Sequence, residues 1–409
     1  MPRPDRSRLA PAETPTLPPI DGVRLAAVAS DPRLRNRPDL AVVELARGTS
    51  IAGALTRSQA PSAAVDWCRR NLPGGSARLI VANAGNANAF TGRRGEESVG
   101  AVARAAAGLF DCDEGEIFQA STGAIGEPLD HDRLIAALPV AQRSLAPDDW
   151  LAVASALMTT DSFPKLATRV ATIEGRRVTL NGVCKGSGMI APDLGTMLSF
   201  LFTDAAVPAG VLSQLLMRGV DRSFNCITVD SDTSTSDTCL LAATGRAGNE
   251  PAFSAGDRRL GPFREALDDL LIDLARQVVA DGQDANRFVT ITVTGAAHAR
   301  AARKIGLAVA NSPLVRKALR VADPRWEWIV VAVGKAGEKA NRDRLTIRVG
   351  DARVAVDGVR AADFDAAEVA GHMAGTDVQI AIDVGIGVGA ATVWTCDGET
   401  SFSRPPALG

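Results

Sequence analysis

Tyrosine is absent from this chain of 409 residues, and histidine occurs only three times, at His131, His298 and His372. Any mechanism must therefore do without a cluster of histidines. His131 sits among loop residues in GEPLDHDRL, and His298 opens what reads as an exposed helix start in AAHARAARKI, so both are taken as surface polar residues. The six cysteines, Cys68, Cys112, Cys184, Cys226, Cys239 and Cys396, show no C-x-x-C spacing, so neither a zinc site nor a disulfide framework is indicated. Unpaired cysteines fit a reducing cytoplasm. No run approaches the roughly 20 apolar residues needed to span a bilayer. A basic excess is also missing. Lys+Arg 45 against Asp+Glu 47 gives a formal net charge of -2, which leaves no electrostatic footprint for nucleic acid.

What is present is an apolar fraction of 46% in a chain too long for a single core, so two or more packed units are expected. The start, MPRPDRSRLAPAETPTLPPIDGVRLAAV, is rich in proline and arginine without an apolar h-region; it reads as a flexible arm to about Ile20 rather than a secretory signal. Strand-like runs at 77–85, 287–296, 326–337 and 344–350 alternate with helical patterns at 96–110, 149–160 and 264–282, which predicts a mixed α/β fold. RVATIEGRRVTLNGVCKGSG predicts a hairpin turned at Glu174-Gly175. Candidate boundaries fall at 251–261 and near Gly282.

Several stretches could carry chemistry. VANAGNANAFTGRRGEES, 81–98, follows an apolar strand with glycines and asparagines, which suits either a ligand-facing loop or a network of turns. In ASTGAIGEPL, 120–129, Thr122 and Gly123 form a small-residue turn whose N–H groups could face a developing oxyanion. TVDSDTSTSDTCLLAATG, 228–245, collects three aspartates among hydroxyl residues but lacks the glycine and closing glutamate of an EF-hand loop, so capping and turn bonding explain it as well as calcium does. VGKAG, 333–337, lacks the rest of a phosphate-loop pattern and is rejected as a nucleotide site. No metal or cofactor is expected.

The most informative stretch is KGSGMIAPDLGTMLSFLFTDA, 185–205. A threonine hydroxyl is a poor nucleophile without a base beside it, and a threonine that begins a chain has its own α-amine as that base. That amine has a pKa of roughly 8, suited to proton transfer near neutrality. Cleavage between Gly195 and Thr196 would expose it. The Thr196 hydroxyl can attack the uncrowded Gly195 carbonyl, shifting the acyl group from nitrogen to oxygen before hydrolysis. The bland alternative is that Thr196 merely opens a buried strand.

NGVCKGSGMIAPDLGTMLSFLFTDA closely resembles the self-cleaving segment of the ornithine acetyltransferases, also called bifunctional glutamate N-acetyltransferases. RSQAPSAAVDWCRRNL, ANAGNANAFTG, STGAIGEPL, MTTDSFPKLA, TVDSDTSTSDT, VANSPLVRKAL, VAVGKAG and ATVWTCD extend that resemblance, in order, over nearly the whole chain. The resemblance implies an αββα sandwich like that of self-processing aminopeptidases, with a smaller C-terminal α/β domain. It implies cleavage into an α chain, 1–195, and a β chain, 196–409, with 196–282 completing the sandwich and 283–409 forming the smaller domain, the pieces assembling as α2β2. It implies a cytoplasmic enzyme of arginine biosynthesis acting on small amino-acid substrates: Thr196 takes acetyl from N-acetylornithine and gives it to glutamate in a ping-pong cycle without coenzyme A. Carried over by residue, Thr122 and Gly123 form the oxyanion hole, and Thr159 and Lys185 contact substrate.

Two departures stand against that pattern. Where the family has DGEGA with a substrate-contacting glutamate, this chain has DGQDA, so Gln283 supplies hydrogen bonds but no charge. The family's ending, C-D-L-T-x-x-Y-V-x-I-N-x-D-Y-x-[ST], is replaced by CDGETSFSRPPALG. The machinery for an acyl-threonine is whole while the recognition of ornithine and glutamate has changed, which leaves open a shifted donor or acceptor. An amidase that hydrolyses the same acyl-threonine and an inactive relative serving as a binding subunit are the other readings.

Overall fold

The computed structural model describes residues 5–34, 37–191 and 197–398. The first part of the chain runs β1 (Val23–Val28), β2 (Leu40–Leu45), β3 (Ser50–Leu55), α1 (Ala63–Asn71), β4 (Leu79–Asn86), α2 (Gly92–Phe110), β5 (Ile117–Ala124), α3 (His131–Arg143) and α4 (Trp150–Leu157). It continues through β6 (Lys165–Ile173), β7 (Arg176–Lys185), β8 (Leu198–Thr203), α5 (Ala209–Arg222), β9 (Thr238–Ala243) and α6 (Gly261–Ala280). One sheet has the order β1-β2-β4-β5 and the other β3-β9-β8-β7-β6.

The side-chain alternation of a strand decides how these sheets stack. On the first sheet Leu25, Ala41, Val43, Ile80 and Ala82 point inward, where they meet Val183, Phe200, Phe202, Leu240 and Ala242 of the second. The intervening Ala26, Val42 and Val81 pack outward on α2 and α3; Cys184, Leu201 and Leu241 pack outward on α5 and α6. Both faces of each sheet are covered, giving helix, sheet, sheet and helix layers. This is the αββα sandwich expected from the resemblance. It also explains why the strands read as continuous apolar runs: all six residues of β8 are buried. Between the sheets α4 is wedged, with the Trp150 ring 5.5 Å from that of Phe202. The hairpin forms as expected, and Glu174 (φ 49°) and Gly175 (φ 78°) both take the left-handed backbone that a tight two-residue turn demands.

The remaining elements are β10 (Phe288–Ala296), α7 (Ala299–Ala310), α8 (Pro313–Val321), α9 (Glu327–Gly334), β11 (Thr346–Val349), β12 (Ala352–Val356), β13 (Val359–Arg360), α10 (Ala366–Met373), β14 (Asp377–Asp383) and β15 (Gly389–Cys396). They build a third sheet, β13-β12-β11-β14-β10-β15, over a separate core. Its last strand returns to the sandwich, where Trp394 and Cys396 join the core beneath α6 and Thr228 N–H donates to the Trp394 carbonyl. Among the described residues no helix is long and apolar enough to cross a membrane.

Three expectations are corrected. The run at 326–337 is not a strand: Glu327–Gly334 is α9, with Ile329, Ala332 and Val333 buried at helical spacing and Val331 turned outward. Its β-branched residues favour a strand locally, but packing against the third sheet's core overrides that preference. VGKAG is accordingly the end of a helix. The segment before Ile20, expected as a free arm, is tied down from Ser7 onward: the Ser7 hydroxyl donates to the Ala280 carbonyl at 2.6 Å, and Leu17 and Ile20 are buried. Finally, 251–261 marks no boundary, because Ala252 and Leu260 belong to the same core as α6.

Candidate active site

β5 and β7 lie in opposite sheets, yet their ends meet. Lys185, the last residue of β7, donates from Nζ to Thr122 Oγ1 on β5 at 3.1 Å. Both side chains are buried, and Gly123 comes directly after Thr122. Gly123 has φ +132°, and a Cβ there would stand 2.2 Å from the Gly85 carbonyl carbon and 2.5 Å from Asn86 N, so any other residue would push β4 and β5 apart. The asparagine-rich stretch after β4 shores up this end of the strand. Ser121 Oγ donates to Asn83 Oδ1 at 2.7 Å, Asn83 Nδ2 to the Asn86 carbonyl at 2.9 Å, and Asn86 Nδ2 to the Glu127 carbonyl at 3.1 Å. Of the two readings of 81–98, these bonds make the network of turns.

The Lys185–Thr122 bond fixes what the hydroxyl can do. A hydroxyl that accepts from an ammonium keeps its own O–H free to donate, which is what an oxyanion requires. Among the described residues the Lys185 ammonium hydrogen-bonds Thr122 alone and has no carboxylate at ion-pairing distance. Burial lowers its pKa from the ordinary lysine value; Asp161 works against that shift and Lys165 adds to it. A buried ammonium without an anion of its own is suited to receive a substrate carboxylate. The neighbouring thiol is not a competing nucleophile, since burial pushes Cys184 up to about 12.

Thr159 is joined to this pair through a residue that sequence reasoning missed. Asp161 accepts the Thr159 N–H on Oδ2 at 3.0 Å, and on Oδ1 it accepts the Gly186 N–H at 2.6 Å and Lys165 Nζ at 2.8 Å. Lys165 also donates to Asp281 at 2.6 Å, and Asp281 accepts the Ser162 N–H at 2.9 Å and the Ser162 hydroxyl. Lys165, Asp161 and Asp281 are all buried. Burial favours a neutral Asp161, but Lys165, Lys185 and the bonds from Lys165 and Gly186 outweigh it and hold this carboxyl well below the ordinary range. Burial likewise opposes charge on Lys165, and its two carboxylates overcome that and raise it. For Asp281 burial wins and raises the carboxyl. The signal for this cluster lay inside MTTDSFPKLA and DGQDA, as a lysine placed four residues after an aspartate at the start of a strand whose first three residues are buried.

Gly195 and Thr196 lie outside the described residues, but the chain immediately after them is held firmly. Met197 is buried, and its N–H donates to Asp237 Oδ1 at 3.0 Å. Leu198 then opens β8 directly opposite Lys185. Asp237 comes from the hydroxyl-rich stretch at 228–245, whose other site contact is Asp230, which accepts the Ile190 N–H at 2.8 Å. These carboxylates cap backbone, which is the turn-bonding reading of that stretch. Burial pushes Asp237 well above the ordinary carboxyl range, against the bonds from the Met197 N–H and the Thr56 hydroxyl and the charge of Lys185. Gln283 is exposed, two residues beyond Asp281. A Cβ on Gly398 would lie 2.4 Å from the Gln283 carbonyl oxygen, so the two departures from the family pattern, Gln283 and the tail after Cys396, are neighbours in space. The tail beyond Gly398 is outside the described residues. The structure thus brings Thr122, Gly123, Lys185 and Thr159 together, with Thr122 and Lys185 buried, Thr159 half-buried and Gly123 exposed, and leaves Gln283 exposed two residues beyond Asp281.

The ArgJ family model matches residues 24–404. The arginine biosynthesis bifunctional protein ArgJ of Agrobacterium fabrum is 50% identical over 394 residues, which cover 96% of this chain and 95% of that one. The protein of the same description from Rhizobium meliloti matches with the same identity and the same two shares. The crystal structure of arginine biosynthesis bifunctional protein argJ from Bacillus halodurans is 32% identical with a TM-score of 0.49, covering 51% of this chain and 98% of that one. With a family model spanning all but the ends and relatives half identical along nearly their whole length, the chain belongs to the ArgJ family.

Proposed function

We propose that the chain is a self-cleaving acetyltransferase of the glutamate N-acetyltransferase type, with Thr196 as nucleophile. The observation that carries this reading is the Lys185–Thr122 bond, because it brings an oxyanion donor and an anion receptor to the point where β8 begins. Two residues of chain, at most roughly 7 Å, separate Thr196 from Leu198. Attack of the Thr196 hydroxyl on the Gly195 carbonyl, then hydrolysis of the resulting ester, leaves Thr196 as a chain start with a free amine. That amine takes the hydroxyl proton as the oxygen adds to the acetyl carbonyl of N-acetylornithine. Thr122 Oγ1–H and the Gly123 N–H stabilise the tetrahedral oxyanion, Lys185 and Thr159 hold the amino acid, and ornithine departs with the proton returned to its nitrogen. Glutamate then repeats the sequence in reverse and leaves as the N-acetyl product.

The reading extends to a cytoplasmic α2β2 assembly of 1–195 and 196–409 acting on small amino acids. Gln283 in place of an acidic residue weakens the hold on a substrate ammonium, so transfer between N-acetylornithine and glutamate is expected with a higher KM than an acidic residue would give, and molecules that need less charge there compete as donor or acceptor. Intact mass under denaturing conditions tests the proposal. The wild-type protein is expected as two fragments meeting at Gly195 and Thr196, with acetyl transfer from N-acetylornithine to glutamate, and Thr196→Ala as one uncleaved chain without transfer. A single chain in both would sink it, and acetate release that ignores the acceptor would replace the transferase by an amidase.

A further inference from the structure

The acid–base cluster behind the site is unused in that mechanism, although every member is buried. Its members come from three separate segments. Asp161 and Lys165 flank the turn before β6, Gly186 comes just past the end of β7, and Asp281 closes α6. The Asp161 carboxylate makes contacts a simple ion pair does not need. One oxygen holds the N–H of Thr159, and the other holds the N–H of Gly186, the residue next to Lys185. A single side chain therefore ties together the backbone at both residues assigned to substrate contact. Only a carboxylate can do this: an asparagine has one accepting oxygen and would turn an NH2 group toward either a backbone N–H or the Lys165 ammonium. Lys165 supports the arrangement by neutralising Asp161 and Asp281 in a place that water does not reach.

We propose that Asp161 is the positioning residue of the substrate pocket, setting the spacing of Thr159 and Lys185 through their backbone. Lys165 and Asp281 are the counter-charges that keep it in place. Asp161 touches neither substrate nor the reacting atoms, so its loss loosens binding of the amino acid while the threonine chemistry proceeds. The proposal rests on the acetyltransferase reading for what fills the pocket.

The test is Asp161→Asn in the full, self-processed protein, read by the Kd of ornithine in calorimetry, by KM and kcat for glutamate, and by the thermal midpoint. Kd and KM are expected to rise about tenfold or more, the effect of one lost hydrogen bond to a charged group, with kcat within about threefold of wild type. Two double variants separate positioning from stability. Lys165→Met with Asp281→Asn and Lys165→Met with Asp161→Asn each remove one buried cation and one buried anion, but only the second breaks one of the two bonds that Asp161 accepts from the Thr159 and Gly186 N–H groups. A higher KM and Kd in the second at a similar midpoint supports the proposal. Equal KM and Kd in the two overturn it, as does failure of both Asp161 variants to fold while the Asp281 double variant folds and turns over normally. A wild type that neither binds ornithine nor transfers acetyl brings down the acetyltransferase reading, and this inference with it. A wild type that transfers acetyl while the variants bind as it does overturns this inference alone.

Discussion

The central strand of the sandwich and a strand in the interior of the third sheet make a direct comparison. In β8 every residue is buried, whereas β14 alternates exposed and buried from Asp377 to Asp383. In a strand covered on both faces a polar group has no water to turn to, and most of the sandwich's buried polar groups are bonded, Lys165 to Asp161 and Asp281 and Lys185 to Thr122 among them, with Ser199 Oγ of β8 an exception among the described residues. The third sheet can leave charge in water. Its pair Arg353–Asp363 has both side chains more than half exposed. Polarity in the third sheet is optional, while in the sandwich it is structural or chemical.

The largest difference between the two regions should appear on removing one charge from each. Lys165→Met leaves two buried carboxylates without their cation and is expected to cost about 3–5 kcal/mol of stability, measured by denaturant unfolding. Arg353→Ala should leave the unfolding midpoint unchanged; comparable losses in the two would erase the distinction between the regions. Next in size is Thr122→Ala, which removes a buried donor without a buried charge. Turnover is expected to fall about 10²–10³-fold, as for the loss of one oxyanion donor, with a lower thermal midpoint because the buried Lys185 ammonium loses its bond to Thr122. A rise in KM with kcat unchanged would show that Thr122 serves binding.

The smallest effect concerns pH. Because burial raises the Asp237 carboxyl, its contribution to stability is complete below the unfolded value of roughly 3.9 and is lost as pH rises through the folded pKa. Asp237→Asn keeps an acceptor for the Met197 N–H but cannot ionise. Its thermal midpoint relative to wild type should therefore improve steadily from about pH 4 upward, where the unfolded carboxyl begins to ionise. A constant difference across that range would mean that Asp237 is not held neutral by its surroundings.

Much of this protein can be read without coordinates. Apolar runs bounded by glycine and polar turns locate the strands, Glu174-Gly175 determines a hairpin, and the ordered motifs single out Thr122, Gly123, Thr159, Lys185 and Thr196 as candidates, of which the first four are described and lie near one another. Those features are local or depend on the order of residues, and sequence carries both. α9 shows the limit, because a run of β-branched residues became a helix once burial at 329, 332 and 333 was decided by the sheet it covers. Asp161, Lys165 and Asp281 show it more sharply. Nothing in the chain says that residues 116 apart share a buried cluster of charges, nor that Gln283 and Gly398 touch. The sequence by itself determined which side chains could do chemistry and the strand pattern that carries them. Tertiary structure alone decided which buried charges neutralise each other and that the buried Lys185 has no carboxylate at ion-pairing distance among the described residues, since burial and distance are properties of the packed layers.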